Sequence, residues 1–157
     1  LKLAWLMMCE CAMLQDKLEQ GEAALKMAEK IDPADPTNTT YKADYLINTG
    51  KSREALNILK KVTSGRYRLL DDAYDIELKM AEALFASGND KEGFKYLKSV
   101  FEKDYPAAGL YRLRYVITQS PTFKKVRKNP KVAKYLNKQK LRIFDIYGKG
   151  GRKPEEI

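Results

Sequence analysis

The chain of 157 residues contains no histidine, only two cysteines and a single tryptophan. The missing histidine removes the commonest general base and the commonest metal ligand. Cys9 and Cys11 stand two apart on a predicted helix and point about 200° away from each other, which excludes a disulfide within one molecule. Their spacing matches neither a zinc site nor a redox motif. Two such thiols are compatible with a reducing compartment such as the cytoplasm, and a secreted or periplasmic location stays open.

Motifs of catalysis are also absent. The sequence has no Gly-x-Ser-x-Gly, no phosphate-binding loop and no dinucleotide fingerprint. The acidic pairs Asp71-Asp72 and Glu155-Glu156 are sequence neighbours, whereas paired-carboxylate catalysis needs facing groups at a fixed separation. Glu10 interrupts the apolar N-terminal stretch, so a signal peptide is not expected there. These absences predict a protein that is not an enzyme, uses no cofactor or metal, and has no membrane partner.

A helical repeat runs through most of the chain. Apolar residues recur at helical spacing, and Gly50 and Gly88 lie in turn sequences that divide helix pairs. A shift of 34 residues superposes Cys9 on Ala43, and a further shift of 38 superposes Ala43 on Ala81. Small residues at these positions let two antiparallel helices approach closely, and the glycines suit a left-handed turn. The register predicts three consecutive helix pairs.

This pattern resembles the tetratricopeptide repeat family, whose units are helix-turn-helix hairpins of about 34 residues. The first repeat carries the resemblance best, through Trp5, Met8, Cys9, Gly21, Leu25, Ala28 and Pro33. The second and third repeats depart from the family pattern, with Thr39 and Glu77 near the Trp position. The resemblance implies an all-α fold, a right-handed α-solenoid of about three helix pairs over residues 1–106. It also implies that the first helix of each pair lines a concave groove.

After residue 106 the repeat pattern ends. A helix is predicted over 107–119, and Ser120-Pro121 and Asn129-Pro130 each read as an N-cap followed by proline at the first helical position. We therefore expect capping helices over 107–147, which cover the end of the helix stack. The residues from 148 to 157 are expected to form a flexible tail.

The resemblance also predicts which residues line the concave groove. An acidic row consists of Glu10, Asp44 and Glu82, and an apolar row consists of Met13, Ile47 and Phe85. Together the two rows suit a basic or amine-bearing protein or peptide. The candidate residues are Leu6, Glu10, Met13, Tyr41, Asp44, Ile47, Asp75, Lys79, Glu82 and Phe85. The acidic residues are equally typical of any solvated helix face, and the apolar row is equally suited to packing between helices. Family members that grip acidic C-termini use basic and amide residues, and only Lys79 fits that pattern here.

Charge is distributed unevenly along the chain. Residues 1–105 carry 16 basic and 18 acidic side chains, whereas residues 106–157 carry 14 basic side chains and only 3 acidic ones. An excess of basic side chains of this size is typical of segments that bind the phosphate backbone of a nucleic acid. The candidate polyanion-binding residues are Lys124, Lys125, Arg127, Lys128, Lys131 and Lys134. The same lysines also suit the solvated face of a capping helix, which is the interpretation the sequence favours.

Three functional hypotheses follow from these patterns. The first is a scaffold that binds a protein or peptide in its concave groove. The second is nucleic-acid or other polyanion binding through residues 121–153. The third is a structural role as part of a larger helical array, for which we expect an open helical face at Leu3, Leu6 and Met7; self-association through the basic tail is a further possibility.

Overall fold

The computed structural model describes residues 1–63, 70–102, 116 and 120–147. Within these ranges the chain is helical and contains no β-strand, which confirms the predicted all-α class. The helices are α1 (Lys2–Leu14), α2 (Leu18–Ile31), α3 (Pro36–Asn48), α4 (Ser52–Thr63), α5 (Leu70–Ala86), α6 (Asp90–Glu102), α7 (Pro121–Val126) and α8 (Pro130–Tyr147). The predicted helix over 107–119 lies outside the described residues apart from Val116, as does the whole predicted tail over 148–157.

Short turns with a left-handed residue join the helices of each pair. Gly50 and Gly88 have φ values of +78° and +82°, as predicted, and Asp16 occupies the equivalent position of the first pair with φ of +58°. The Lys51 amide then donates to the Leu46 carbonyl at 2.7 Å. Equivalent bonds close the other two turns. Each turn therefore ends its helix in the way that is usual for a left-handed C-cap.

The helices α1 to α6 pack as three hairpins, which we call hairpin 1 (α1 and α2), hairpin 2 (α3 and α4) and hairpin 3 (α5 and α6). The helix α3 also packs on hairpin 1, and α5 packs on hairpin 2. Cys9, Ala43 and Ala81 are fully buried, one in each hairpin, because small side chains let the paired helices approach. The helices of hairpin 3 approach closely at Gly93, where an added Cβ would lie 3.0 Å from the Phe85 ring.

The helices α7 and α8 cover hairpin 3. Both predicted start signals are confirmed, since Ser120 Oγ accepts from the Phe123 amide and Asn129 Oδ1 accepts from the Lys131 amide. Phe123 is fully buried on α7, and it packs edge-on against Phe85 with the ring centroids 5.9 Å apart. The side chains that join these helices to hairpin 3 form one apolar cluster: Leu78, Ala81, Phe85, Leu97, Val100, Phe101, Val116, Phe123, Val132 and Leu136.

Candidate functional site

A buried ion-pair network joins hairpin 2 to hairpin 3. Lys79 Nζ contacts Asp44 Oδ1 on α3 and lies 3.2 Å from Glu82 Oε2, one helical turn further along α5. The Lys79 and Glu82 side chains are only 10% and 3% exposed, whereas Asp44 is 22% exposed. A charged side chain that is buried loses its hydration, which is costly unless an oppositely charged or hydrogen-bonding group replaces the water. Each of these three side chains has such a partner. The network therefore fixes α5 against α3 at a defined register.

The network extends to the helices that cover hairpin 3. The Ser120 hydroxyl donates to Glu82 Oε1, and the same Ser120 oxygen accepts from the Phe123 amide at 3.1 Å. Ser120 is therefore both the N-cap of α7 and the hydrogen-bond donor to a buried carboxylate on α5. Sequence reasoning identified only the capping role. The one signal for the second role was a polar residue next to an apolar segment, which is too common to be informative.

The surroundings of Asp44 raise the pKa of its carboxyl group. Burial raises the pKa of Asp44 from 3.8 to about 6, against the opposing effect of the Lys79 ammonium. The negative charges of Glu82 and Glu10 raise the pKa further. The carboxylates of Glu10 in hairpin 1 and Glu82 in hairpin 3 therefore both act on Asp44 in hairpin 2. A positively charged group placed beside Glu10 and Asp44 would relieve their repulsion.

The same carboxylates also affect the pKa of the Cys9 thiol. Burial raises the pKa of Cys9 to about 11, and the charges of Asp44 and Glu10 act in the same direction. Cys9 is therefore a protonated, weakly nucleophilic thiol at neutral pH. Cys11 is exposed on the opposite side of α1, and both cysteines are free.

The ten candidate groove residues fall into three groups. The partly exposed group comprises Glu10, Met13, Tyr41 and Asp44, which lie on α1 and α3. The buried group comprises Leu6, Ile47, Lys79, Glu82 and Phe85. The side chain of Asp75 lies outside the described residues. The apolar row does not form a continuous exposed shelf, because Ile47 and Phe85 belong to two different apolar clusters. The accessible part of the site is therefore the surface between α1 and α3, which we call the acidic wall and define by Glu10, Met13, Tyr41 and Asp44.

The candidate polyanion-binding residues lie on α7, in the turn after it, and at the start of α8. Lys124, Lys125, Lys128, Lys131 and Lys134 are exposed, while Arg127 is partly buried. No ion pair between these six side chains and a described acidic residue is present. The Arg127 Nε atom is buried without a hydrogen-bond partner among the described residues. The segment therefore presents positive charge to solvent.

No metal site and no membrane-spanning segment is found within the described parts of the chain. Among those residues, no group of three or more cysteine and acidic side chains is placed to hold a metal ion. None of the described helices is both long and apolar enough to span a membrane. Comparison of the chain with known protein families, with curated proteins and with solved structures finds no match.

Proposed function

We propose that this protein is a non-catalytic scaffold that resembles tetratricopeptide repeat proteins and binds a basic protein or peptide segment along the acidic wall. In this proposal the three hairpins stack as a right-handed α-solenoid, and their first helices form its concave side. The repeated register of the hairpins supports this arrangement, since α3 packs on hairpin 1 and α5 packs on hairpin 2.

The observation that carries the proposal is the partly exposed pair of carboxylates on adjacent helices. Glu10 and Asp44 are partly exposed to solvent, whereas Lys79, which contacts Asp44, and Glu82, which contacts Lys79, are buried. Burial is the main cause of the raised pKa of Asp44, and the negative charges of Glu82 and Glu10 raise it further. A lysine or arginine of a partner would interact favourably with the Glu10 and Asp44 carboxylates, and the Tyr41 ring and Met13 would contact its aliphatic part.

The direct test measures binding of a labelled peptide library that varies in lysine and arginine content. We expect the tightest binders to be basic, and we expect the double variant Glu10→Gln with Asp44→Asn to bind them about tenfold more weakly. Fluorescence anisotropy provides the affinities. Binding should also be stronger at about pH 7.5 than at about pH 5, because the Asp44 carboxyl loses its proton between these values.

A matched control removes two negative charges elsewhere. Glu19→Gln with Asp90→Asn changes the net charge equally at two exposed positions outside the wall. This control should bind like the unmodified chain. An equal loss of affinity in both double variants would show that only the net charge of the protein matters. Affinities that do not depend on the charge of the peptide would contradict the assignment of the acidic wall.

A second candidate function is polyanion binding by the exposed lysines of α7 and α8. The supporting observation is that these cations form no ion pairs with described acidic residues. A fluorescent single-stranded oligonucleotide titrated over a salt series tests it. Replacing Lys124, Lys128 and Lys131 by Gln should make the negative slope of log affinity against log salt shallower by about 2. Each phosphate contact contributes about 0.7 to the magnitude of this slope for single strands.

The control for this experiment is the triple variant Lys17→Gln, Lys30→Gln and Lys51→Gln. These three lysines are exposed and lie on hairpins 1 and 2. Their removal should leave the slope nearly unchanged if the oligonucleotide binds at α7 and α8. An unmodified chain that shows no binding at low salt would eliminate this second candidate.

A further inference from the structure

A cavity of about 220 Å³ lies where the N-terminus of α4 meets the C-terminal end of α5. Its walls are formed by residues 50–54, which include the left-handed turn and the start of α4, and by residues 86–87 at the end of α5. None of these residues belongs to the acidic wall or to α7 and α8. The cavity is therefore a separate surface of the molecule.

The start of α4 presents backbone amides that have no acceptor. The amides of residues 50 and 51 donate to carbonyls of the preceding helix, and the Ala55 amide donates to the Lys51 carbonyl at 3.1 Å. The amides of residues 52–54 lie between these bonds and have no hydrogen-bond acceptor among the described residues. Free amides and the positive end of the helix dipole together favour an anion at this position.

Ser52 adds a side-chain donor at the same place. It lines the cavity and is only 8% exposed, and its hydroxyl has no hydrogen-bond partner among the described residues. Ser120, the other buried serine at a helix start, uses its hydroxyl to cap α7 and to bind Glu82. A buried hydroxyl without a partner costs free energy. The Ser52 hydroxyl is therefore left to a water or a ligand that enters the cavity.

Charged side chains also surround the cavity. Arg53 is exposed and forms no ion pair with a described residue, whereas Glu54 places a carboxylate at the same helix start. Lys51 lines the cavity as well, but part of its charge acts elsewhere: the pKa of Glu22 in hairpin 1 is lowered mainly by Lys26 and additionally by Lys51. The donor set therefore comprises three amides, one hydroxyl and the Arg53 guanidinium, and Glu54 limits its affinity for an anion.

We propose that the N-terminus of α4 binds a phosphate group, either as inorganic phosphate or as the monoester of a small molecule, in the cavity beside the end of α5. A phosphate group has enough oxygen atoms to accept from several amides and a hydroxyl at once, whereas a carboxylate has only two. The Arg53 guanidinium suits a further edge of the phosphate through two parallel hydrogen bonds. Binding at this cavity does not depend on the acidic wall.

Titration of the isotope-labelled chain with inorganic phosphate, followed by two-dimensional amide NMR, locates the binding site. The amide signals of residues 52–54 should shift together and saturate in the millimolar range. Residues 90–92 begin α6 and correspond to residues 52–54 after the shift of 38. Their signals should stay in place, because Asn89 Oδ1 accepts from the Glu92 amide and Asp90 adds a carboxylate there.

The charge of the ligand provides a second measurement. Phosphate should bind more weakly at about pH 5 than at about pH 7.5, because the dianion takes up a proton with a pKa of about 6. Sulfate stays a dianion over this range, so its affinity should change little. A parallel titration with O-phosphoserine distinguishes the two sources: a tighter monoester assigns contacts to the attached group, and equal affinities assign the site to the phosphate alone.

Substitutions in the cavity test the donor set. Ser52→Ala should weaken phosphate binding about tenfold, because it removes a hydrogen bond to a charged group. This variant should stay folded, since the Ser52 hydroxyl bonds to no described residue. Arg53→Gln should weaken binding by a similar factor, and Glu54→Gln should strengthen it about threefold. Lys91→Gln is the matched control, because Lys91 is exposed and is the register equivalent of Arg53 on α6.

Three results would overturn the proposal. The first is the absence of a saturable shift at residues 52–54 in the unmodified chain. The second is a set of shifts confined to α7 and α8, which would assign phosphate binding to their exposed lysines. The third is a folded Ser52→Ala variant that binds phosphate as tightly as the unmodified chain.

Discussion

Lys79→Met should lower the free energy of unfolding by about 3–5 kcal/mol, the largest effect that we expect from any single polar residue of this protein. Methionine keeps most of the length and apolar volume of the lysine side chain, but it removes the ammonium that contacts both Asp44 and Glu82. Glu82 is 3% exposed and cannot recover the lost interaction from water. Urea unfolding followed by circular dichroism measures the change.

The pH dependence distinguishes this electrostatic cause from a packing defect. In the variant the pKa of Asp44, already raised by burial, rises further because the Lys79 ammonium no longer lowers it. The destabilisation is therefore complete above this raised pKa and is relieved as the pH falls and the Asp44 carboxyl protonates. The loss should therefore be smaller at about pH 5 than at about pH 7.5. Lys91→Met, at an exposed position, is the control and should change stability by less than about 0.5 kcal/mol. A pH-independent loss in Lys79→Met would contradict the role assigned to the network.

Phe123→Ala should have an effect of similar size, with a loss of about 3–5 kcal/mol in unfolding free energy. Phe123 is fully buried between α7 and hairpin 3, where its ring packs on Phe85. The alanine variant leaves a cavity in the apolar cluster that holds these helices together. Hydrogen exchange should show the largest loss of protection in α7 and α8, and the smallest in hairpin 1.

Lys124→Ala is the matched control, because Lys124 is the next residue of α7 and is exposed. It should leave both the stability and the exchange pattern close to those of the unmodified chain. Protection lost equally in hairpin 1 and in α8 of the Phe123 variant would show that Phe123 does not act through local packing of the covering helices.

Local signals predicted most of the fold. Gly50 and Gly88 identified the turns because their left-handed conformation excludes most other residues, and Ser120 and Asn129 identified two helix starts because their side chains cap free amides. These effects act within a few residues of the chain. A single sequence is sufficient to predict them.

Burial in the candidate site was not predictable in the same way. Glu82 occupies a register position that suits a solvated helix face, yet it is buried because Ser120, 38 residues further along the chain, closes over it. The register placed Glu10, Asp44 and Glu82 in one row, but it contained no information on which of them α7 would cover. Long-range contacts of this kind depend on the packing of the last helices.

The polar chain from Asp44 through Lys79 and Glu82 to Ser120 also has a consequence for how the molecule comes apart. Repeat arrays in which each unit touches only its neighbours fray from their ends, one unit at a time. Here detachment of α7 would remove the hydrogen bond that Ser120 donates to the buried Glu82 carboxylate. Separation of α5 from α3 would break the contact between the Lys79 ammonium and Asp44. The helices from α3 to α7 should therefore unfold together as one cooperative unit, whereas hairpin 1 should unfold locally without them.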